Sequence, residues 1–194
     1  MRKLICLMTV VCFSLLANAQ FVATKDGIKA NDDLNFYVVE IEGKTAKELY
    51  ENVESYIIAN FKNPDVVLNK QEGKMINIHG VFPEAFPCKK WAGVKYADID
   101  LNLVVYFKDA KIRFDAPVIN SMVCRSLVST SGKPYTYFFY KKFNGASVTG
   151  DFSLFKKNGD VKNELAVNGL NEFLNNLIKE IADYAKGEFG SEEW

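Results

Sequence analysis

The sequence predicts an α+β fold: a single curved antiparallel sheet with two helices packed on one face. Three observations predict it. Apolar residues recur at helical spacing from Ala46 to Phe61. A second helical stripe, from Val167 to Ala185, lies near the C-terminus. Between them, residues 97–116 alternate with the two-residue period of a half-buried hairpin. The order strand, helix, several strands, helix lets both helices cover one face and leaves the other open.

Residues 1–19 read as a secretory signal peptide. Arg2 and Lys3 supply the positive start, and Leu4 to Leu16 is a 13-residue uncharged apolar run. Ala17-Asn18-Ala19 gives the small-x-small pattern of a cleavage site between Ala19 and Gln20. The run is shorter than the roughly 20 residues a membrane-spanning helix requires. No later stretch is apolar enough to span, so an integral membrane protein is not expected. A lipoprotein would place a cysteine after the small residues, but Gln20 stands there. The expectation is export, to the periplasm or the outside of the cell.

Removing the leader takes two of the 24 basic residues and no acidic one, leaving 22 against 24 and a formal charge of −2. Near-neutrality argues against nucleic-acid binding, which calls for a basic excess. Two of the four cysteines also leave, and Cys88 and Cys124 remain. An oxidising compartment permits a Cys88–Cys124 disulfide. The other reading is two buried thiols acting as small hydrophobes.

Residues 20–33 carry no pattern and read as a flexible leader; the domain itself spans 34–187. In the strand 34–42, Tyr37, Val39 and Ile41 form the more apolar face. Thr45 and Glu48 then set a capping box that starts the first helix, and Asn63-Pro64 stops it. Residues 65–70 and 74–82 form a hairpin around Gln71-Glu72-Gly73. Residues 83–92 hold Pro83 and Pro87 and read as a loop.

A tight turn at Asp109-Ala110 sets the register of the next hairpin. It puts Ile112 opposite Phe107, Phe114 opposite Val105 and Arg113 opposite Tyr106. Pro117 marks an edge or a bulge. Residues 126–160 read as long excursions with one or two short strands. Gly187 ends the last helix, and 188–194 is an acidic tail.

The run KTAKELYENVESYIIANF, the hairpin VVYFKDAKIRF and the terminal amphipathic helix together resemble a family of bacterial exported proteins of unknown function. Its domain has a TBP-like fold, that of one half of TATA-binding protein, in the order β-α-β-β-β-β-α. The resemblance covers residues 34–185. Asp109-Ala110 stands where the family commonly has Asp-Gly, and Tyr56 where it often has Trp. The resemblance implies a fold; it implies no catalytic residue and no cofactor. Nor does a fold carry a function. The expected open face holds Asp98, Asp100 and Asp115 with Arg113 as its nearby cation, which repels phosphates.

Four features could carry chemistry. His79, the single histidine, needs an orienting group or a nucleophile, and spacing identifies neither. Asp98 and Asp100 share a strand face roughly 6–7 Å apart, but no dense acidic loop completes a metal site; a solvated polar face is the simpler reading. Ser153 and Lys156 match an SxxK pattern without its companion motifs. Tyr135, Tyr137, Phe138, Phe139, Tyr140 and Phe143 form an aromatic cluster that serves either as a contact surface or as a buried strand face.

The leading expectation is a non-catalytic binding module for an envelope protein or glycan, acting through the open face or the 129–150 excursion. A degenerate-site hydrolase using His79 or the Asp98/Asp100 pair is the rival. A carrier of small apolar ligands is a third reading. A pocket joining His79 to a carboxylate or a serine hydroxyl favours the hydrolase. A flat, partly aromatic surface favours the module, and an enclosed apolar cavity favours the carrier.

Overall fold

The computed structural model describes residues 21–30, 34–89, 93–129, 132–141 and 151–187. The leader 1–19 and the acidic tail 188–194 lie outside the described residues, as does Phe143.

The chain opens with a hairpin, β1 (Phe21–Thr24) and β2 (Gly27–Ala30). It continues through β3 (Phe36–Glu40), α1 (Ala46–Asn60) and the short helix α2 (Pro64–Val67). Six strands follow before the second long helix: β4 (Leu68–Gln71), β5 (Met75–Lys89), β6 (Lys95–Lys108), β7 (Lys111–Asp115), β8 (Val118–Val128) and β9 (Pro134–Phe138). Strand β10 (Asp151–Ser153) and helix α3 (Glu164–Lys186) complete the fold.

The main sheet has the order β10-β9-β8-β6-β5-β4, with β7 also on β6 and β3 on β7. The expected single sheet with helices on one face is present. It is antiparallel apart from the β9–β10 pair, which is parallel.

Strand β6 organises the sheet. Ala97, Ile99, Leu101, Leu103, Val105 and Phe107 are buried on its helix side. The predicted register with β7 is present: Val105 faces Phe114, Tyr106 faces Arg113 and Phe107 faces Ile112. Strand β7 covers one end of β6 and β8 the other. The break between them falls at Ala116-Pro117, because proline has no N–H to give a ladder. Ala110 in the turn adopts φ 63, a left-handed conformation that glycine enters more readily. Backbone bonds from Ala110 N–H to Lys44 and from Ile41 N–H to the Ala110 carbonyl, both 2.8 Å, hold it there.

Both long helices form where the stripes placed them. The Thr45–Glu48 capping box is complete, and Asp109 Oδ1 also accepts the Ala46 N–H at 2.8 Å. Leu49, Tyr50, Val53, Tyr56 and Ile57 of α1 are buried. Gly187 closes α3 with φ 81. Helix α3 comes so close to β5 that a Cβ at Gly169 would lie 2.4 Å from Pro87 Cδ.

Two expectations are corrected. Residues 83–89, expected as part of a loop, extend β5: Phe86 pairs with Ala97 and Pro87 with Tyr96 across a register shift. Both prolines are tolerated because, among the described residues, no strand pairs with the outer side of this half of β5.

The second correction concerns 20–33. Within it, 21–30 is not a loose leader but a hairpin on the core. Phe21 is fully buried. Asn175 accepts the Phe21 N–H at 2.9 Å and donates to the Phe21 carbonyl at 2.9 Å. Asn171 accepts the Ala23 N–H at 2.7 Å. Four residues of helix rise about 6 Å and two residues of strand about 6.6 Å, so the two amides match the strand repeat. We expect Phe21→Ala to cost about 3–5 kcal/mol in urea unfolding. A loss below 1 kcal/mol would mean that the hairpin is not part of the core.

Candidate functional site

An open groove of about 1130 Å³ runs along the outer edge of β5, between α2 and α3. Its floor is aromatic. The Phe61 and Phe82 rings meet edge to face at 5.6 Å, and Phe82 meets Phe173 at 5.4 Å. Val66 and Val81 stand on its walls, 81% and 56% exposed. Glu172 and Glu180 of α3 form one rim, with Lys62 the only Lys or Arg among the described lining residues. Glu180 accepts a hydrogen bond from the Tyr56 hydroxyl at 3.1 Å. Burial, reinforced by the Glu180 charge, raises the Tyr56 pKa and keeps the phenol neutral.

The groove turns over the sheet edge onto the open face, where His79 and Asp100 lie. Here β6 contributes two carboxylates, and each joins both neighbouring strands. Asp100 Oδ1 lies 3.2 Å from His79 Nε2 of β5 and accepts from Asn120 of β8 at 3.1 Å. Asp98 Oδ1 accepts the Glu84 N–H of β5 at 3.0 Å, and Oδ2 accepts from Arg125 of β8 at 2.6 Å. Glu84 sits in the β5 bulge with φ 50, so Asp98 holds a strained turn in place. The predicted carboxylates do share a face, but each is occupied by its own partners. Arg125 is a cation of this face that the sequence reading did not include. Arg113 packs over the rings of Phe36 and Tyr106 and pairs with Asp115 at 3.0 Å.

Three other sequence candidates do not form sites. Ser153 Oγ is buried and bonded to the backbone of Lys141, while Lys156 pairs with Asp160 at 3.5 Å; the SxxK residues serve separate turns. Tyr137 of the aromatic cluster is buried and stacks on Phe152 at 5.5 Å, with Tyr135 tilted on the same ring at 4.8 Å. These two rings follow the buried-strand reading. Among the described residues, no cluster of three or more His, Cys, Asp or Glu could hold a metal ion.

Cys88 and Cys124 are both buried, with free thiols. They belong to β5 and β8, which lie on opposite sides of β6. Their side chains come near enough across the small Ala97 side of β6 to interact with each other and with the Tyr137 hydroxyl. Burial pushes the Cys88 thiol up to about 12, the Tyr137 hydroxyl pulls the other way, and Cys124 adds to the rise.

The groove does not follow from the sequence, in which Pro83 and Pro87 point to a loop and so hide the continuation of β5. Residues 65–67, expected in a strand, instead form the one-turn helix α2, which packs Val67 on the core and leaves Val66 exposed on the groove wall.

This arrangement defines an open-sheet α+β protein with a TBP-like fold. Among solved structures, the chain is similar to a TBP-like protein from Parabacteroides distasonis, with TM-score 0.54 and 17% identity over 78% of this chain and 90% of that one. It is also similar to a DUF4468 family protein from Bacteroides ovatus, with TM-score 0.49 and 12% identity over 80% of this chain and 85% of that one. At such identities the likeness to the first shows the fold alone. No protein-family profile matches the chain, and no curated protein matches its sequence.

Two measurements test the roles assigned here. Asp98→Ala leaves the Glu84 N–H and Arg125 without their acceptor and is expected to cost about 1–3 kcal/mol. Asp100→Ala removes a carboxylate that is itself more exposed than Asp98 and holds no backbone N–H, and is expected to cost about 1 kcal/mol or less. Equal small losses in urea unfolding would refute the clamp role of Asp98.

The thiols are expected to resist iodoacetamide until the protein unfolds. The folded-state pKa of Cys88 is raised above the ordinary 9.0. Its contribution is therefore complete below about pH 9 and lost as pH rises toward 12. Thermal melts from pH 7 to 10.5 should fall only in the upper part of that range, and Cys88→Ala should flatten the fall.

Proposed function

We propose that the chain is an exported, non-catalytic binding module whose working surface is the groove on the outer edge of β5. The observation that carries this reading is the exposed apolar surface of Val66 and Val81 beside the aromatic floor. Apolar side chains grouped in a groove, on a protein whose core is already filled, mark a contact surface. The alternative surfaces are weaker candidates. The Asp98, Asp100 and Asp115 carboxylates of the open face already have partners, and Tyr135 and Tyr137 of the excursion stack on Phe152.

The hydrolase reading gains one specific observation, the 3.2 Å contact between His79 and Asp100 on the groove's rim. An oriented imidazole is half of a nucleophilic site. Among the described residues no hydroxyl or thiol hydrogen-bonds to His79, and covalent catalysis needs that partner. The groove is open, which does not suit a carrier that must shield an apolar ligand from water. The tripartite N-terminus supports export, and export makes an envelope protein or glycan the partner class.

A single experiment addresses both parts. The chain is expressed from Met1 with a C-terminal tag and recovered from the cell envelope fraction. Mass spectrometry is expected to find it starting at Gln20, with one reproducible component bound. Val66→Glu, on an exposed wall, is expected to lower recovery of that component about tenfold by placing a charge against an apolar contact. An uncut leader overturns the export reading. Equal recovery by Val66→Glu, or no bound component, overturns the groove reading.

A further inference from the structure

We propose that the groove takes an extended polypeptide segment of alternating basic and apolar residues, which adds to the sheet as a new strand beside β5. The inference rests on the groove reading above and goes further by naming the occupant.

The backbone supplies the first argument. The Phe107 N–H donates to the Lys74 carbonyl at 3.0 Å at the start of the β5–β6 ladder. Alternation then turns the backbone groups of residues 76, 78, 80 and 82 toward β6 and those of the odd-numbered residues outward. Met75 and Asn77 meet Gln71 and Asn69 of β4. The last pair with β4 is Leu68–Ile78. That last pair also engages the His79 N–H with the end of α2, and beyond it the His79 C=O and the outward N–H and C=O of Val81 face the groove with no strand opposite among the described residues. An unpaired edge beside a groove is the geometry of strand addition: main-chain bonds give affinity, and alternate side chains give specificity.

The side chains supply the second. Residues of an added strand point alternately to the helix side and to the open face. On the helix side they meet Phe82 and Phe173, with Glu172 and Glu180 beyond. A lysine or arginine fits this order of surfaces, with its stem along the rings and its head at the carboxylates. On the other side they meet Val81, which suits an aliphatic residue. The rim holds Glu172, Glu180 and Asp100 against Lys62, so its charge complements a basic segment and repels an acidic one.

Fluorescence anisotropy with labelled hexapeptides tests the proposal. The probes are Lys-Val-Lys-Val-Lys-Val, the same peptide with Glu for Lys, and the basic peptide N-methylated at alternate residues. Nile red reports the apolar floor independently. The basic peptide is expected to bind saturably and displace Nile red, with the acidic and N-methylated peptides at least about tenfold weaker. Val81→Pro removes one outward N–H without touching the β6 ladder. It is expected to weaken the basic peptide about tenfold and leave Nile red binding unchanged. Glu172→Lys is expected to weaken the basic peptide and improve the acidic one.

Equal binding of the N-methylated peptide, or of the basic peptide to Val81→Pro, overturns strand addition. Nile red binding that Val66→Glu abolishes, with no binding of the basic peptide, overturns this inference and leaves the groove reading standing. Binding of neither probe overturns both. A concentration-dependent dimer in sedimentation that Val81→Pro dissolves assigns the edge to a second copy of the chain and also overturns the proposal.

Discussion

The strict two-residue alternation of β6 is the constraint on which the other layers depend. From Ala97 to Phe107 the strand keeps one side apolar and buried, while the other mixes Asp98, Asp100 and Asn102 with Val104 and Tyr106. The apolar side gives both long helices a surface to bury against. The polar side carries Asp98 and Asp100, which tie β5 and β8 together from the solvent side while the core joins them from the other. A one-residue slip would exchange the faces, burying two carboxylates and exposing Ile99 and Leu101. Desolvating unpaired carboxylates costs several kcal/mol each, so the register has strong reason to hold.

The fold was legible where the determining residues are near one another in sequence. The capping box lies within four residues, and the β6–β7 register follows from a tight turn at Asp109-Ala110. The α3 stripe repeats often enough to exclude a strand. What escaped depends on distant partners. Phe21 and Ala23 belong to a four-residue strand whose amides meet Asn171 and Asn175 on the last helix. No local pattern in FVATKDGIKA announces those partners. Strand β5 was cut short because proline normally argues against a strand. It survives here because its outer side needs no hydrogen-bonded neighbour.

The candidate site was legible only in parts. His79 and Asp100 were each noted, but their contact follows from the β5–β6 register, and that register could not be set while 83–92 was read as a loop. With Val81 opposite Asp100 and His79 opposite Asn102, the pair is a diagonal neighbour across two strands. The groove has a related origin. Strand β4 stops after four residues, the chain before it coils into α2, and the outer half of β5 is left open. Such a surface arises from where an element ends, and ends are the least certain part of any sequence reading. The likeness to the Parabacteroides distasonis protein places the layers but says nothing about what this edge meets.

The two asparagines on α3 also affect the order in which the molecule can be completed. Asn175 holds Phe21, at the start of the described chain, and Asn171 holds Ala23, to a helix about 150 residues away. A growing polypeptide can fold its central sheet as it emerges, but it cannot seat this first strand until Asn175 has been delivered. Contacts between residues so far apart in the chain are among those that slow folding. Until that helix is in place, the Phe21 N–H and carbonyl lack the single side chain that answers both of them.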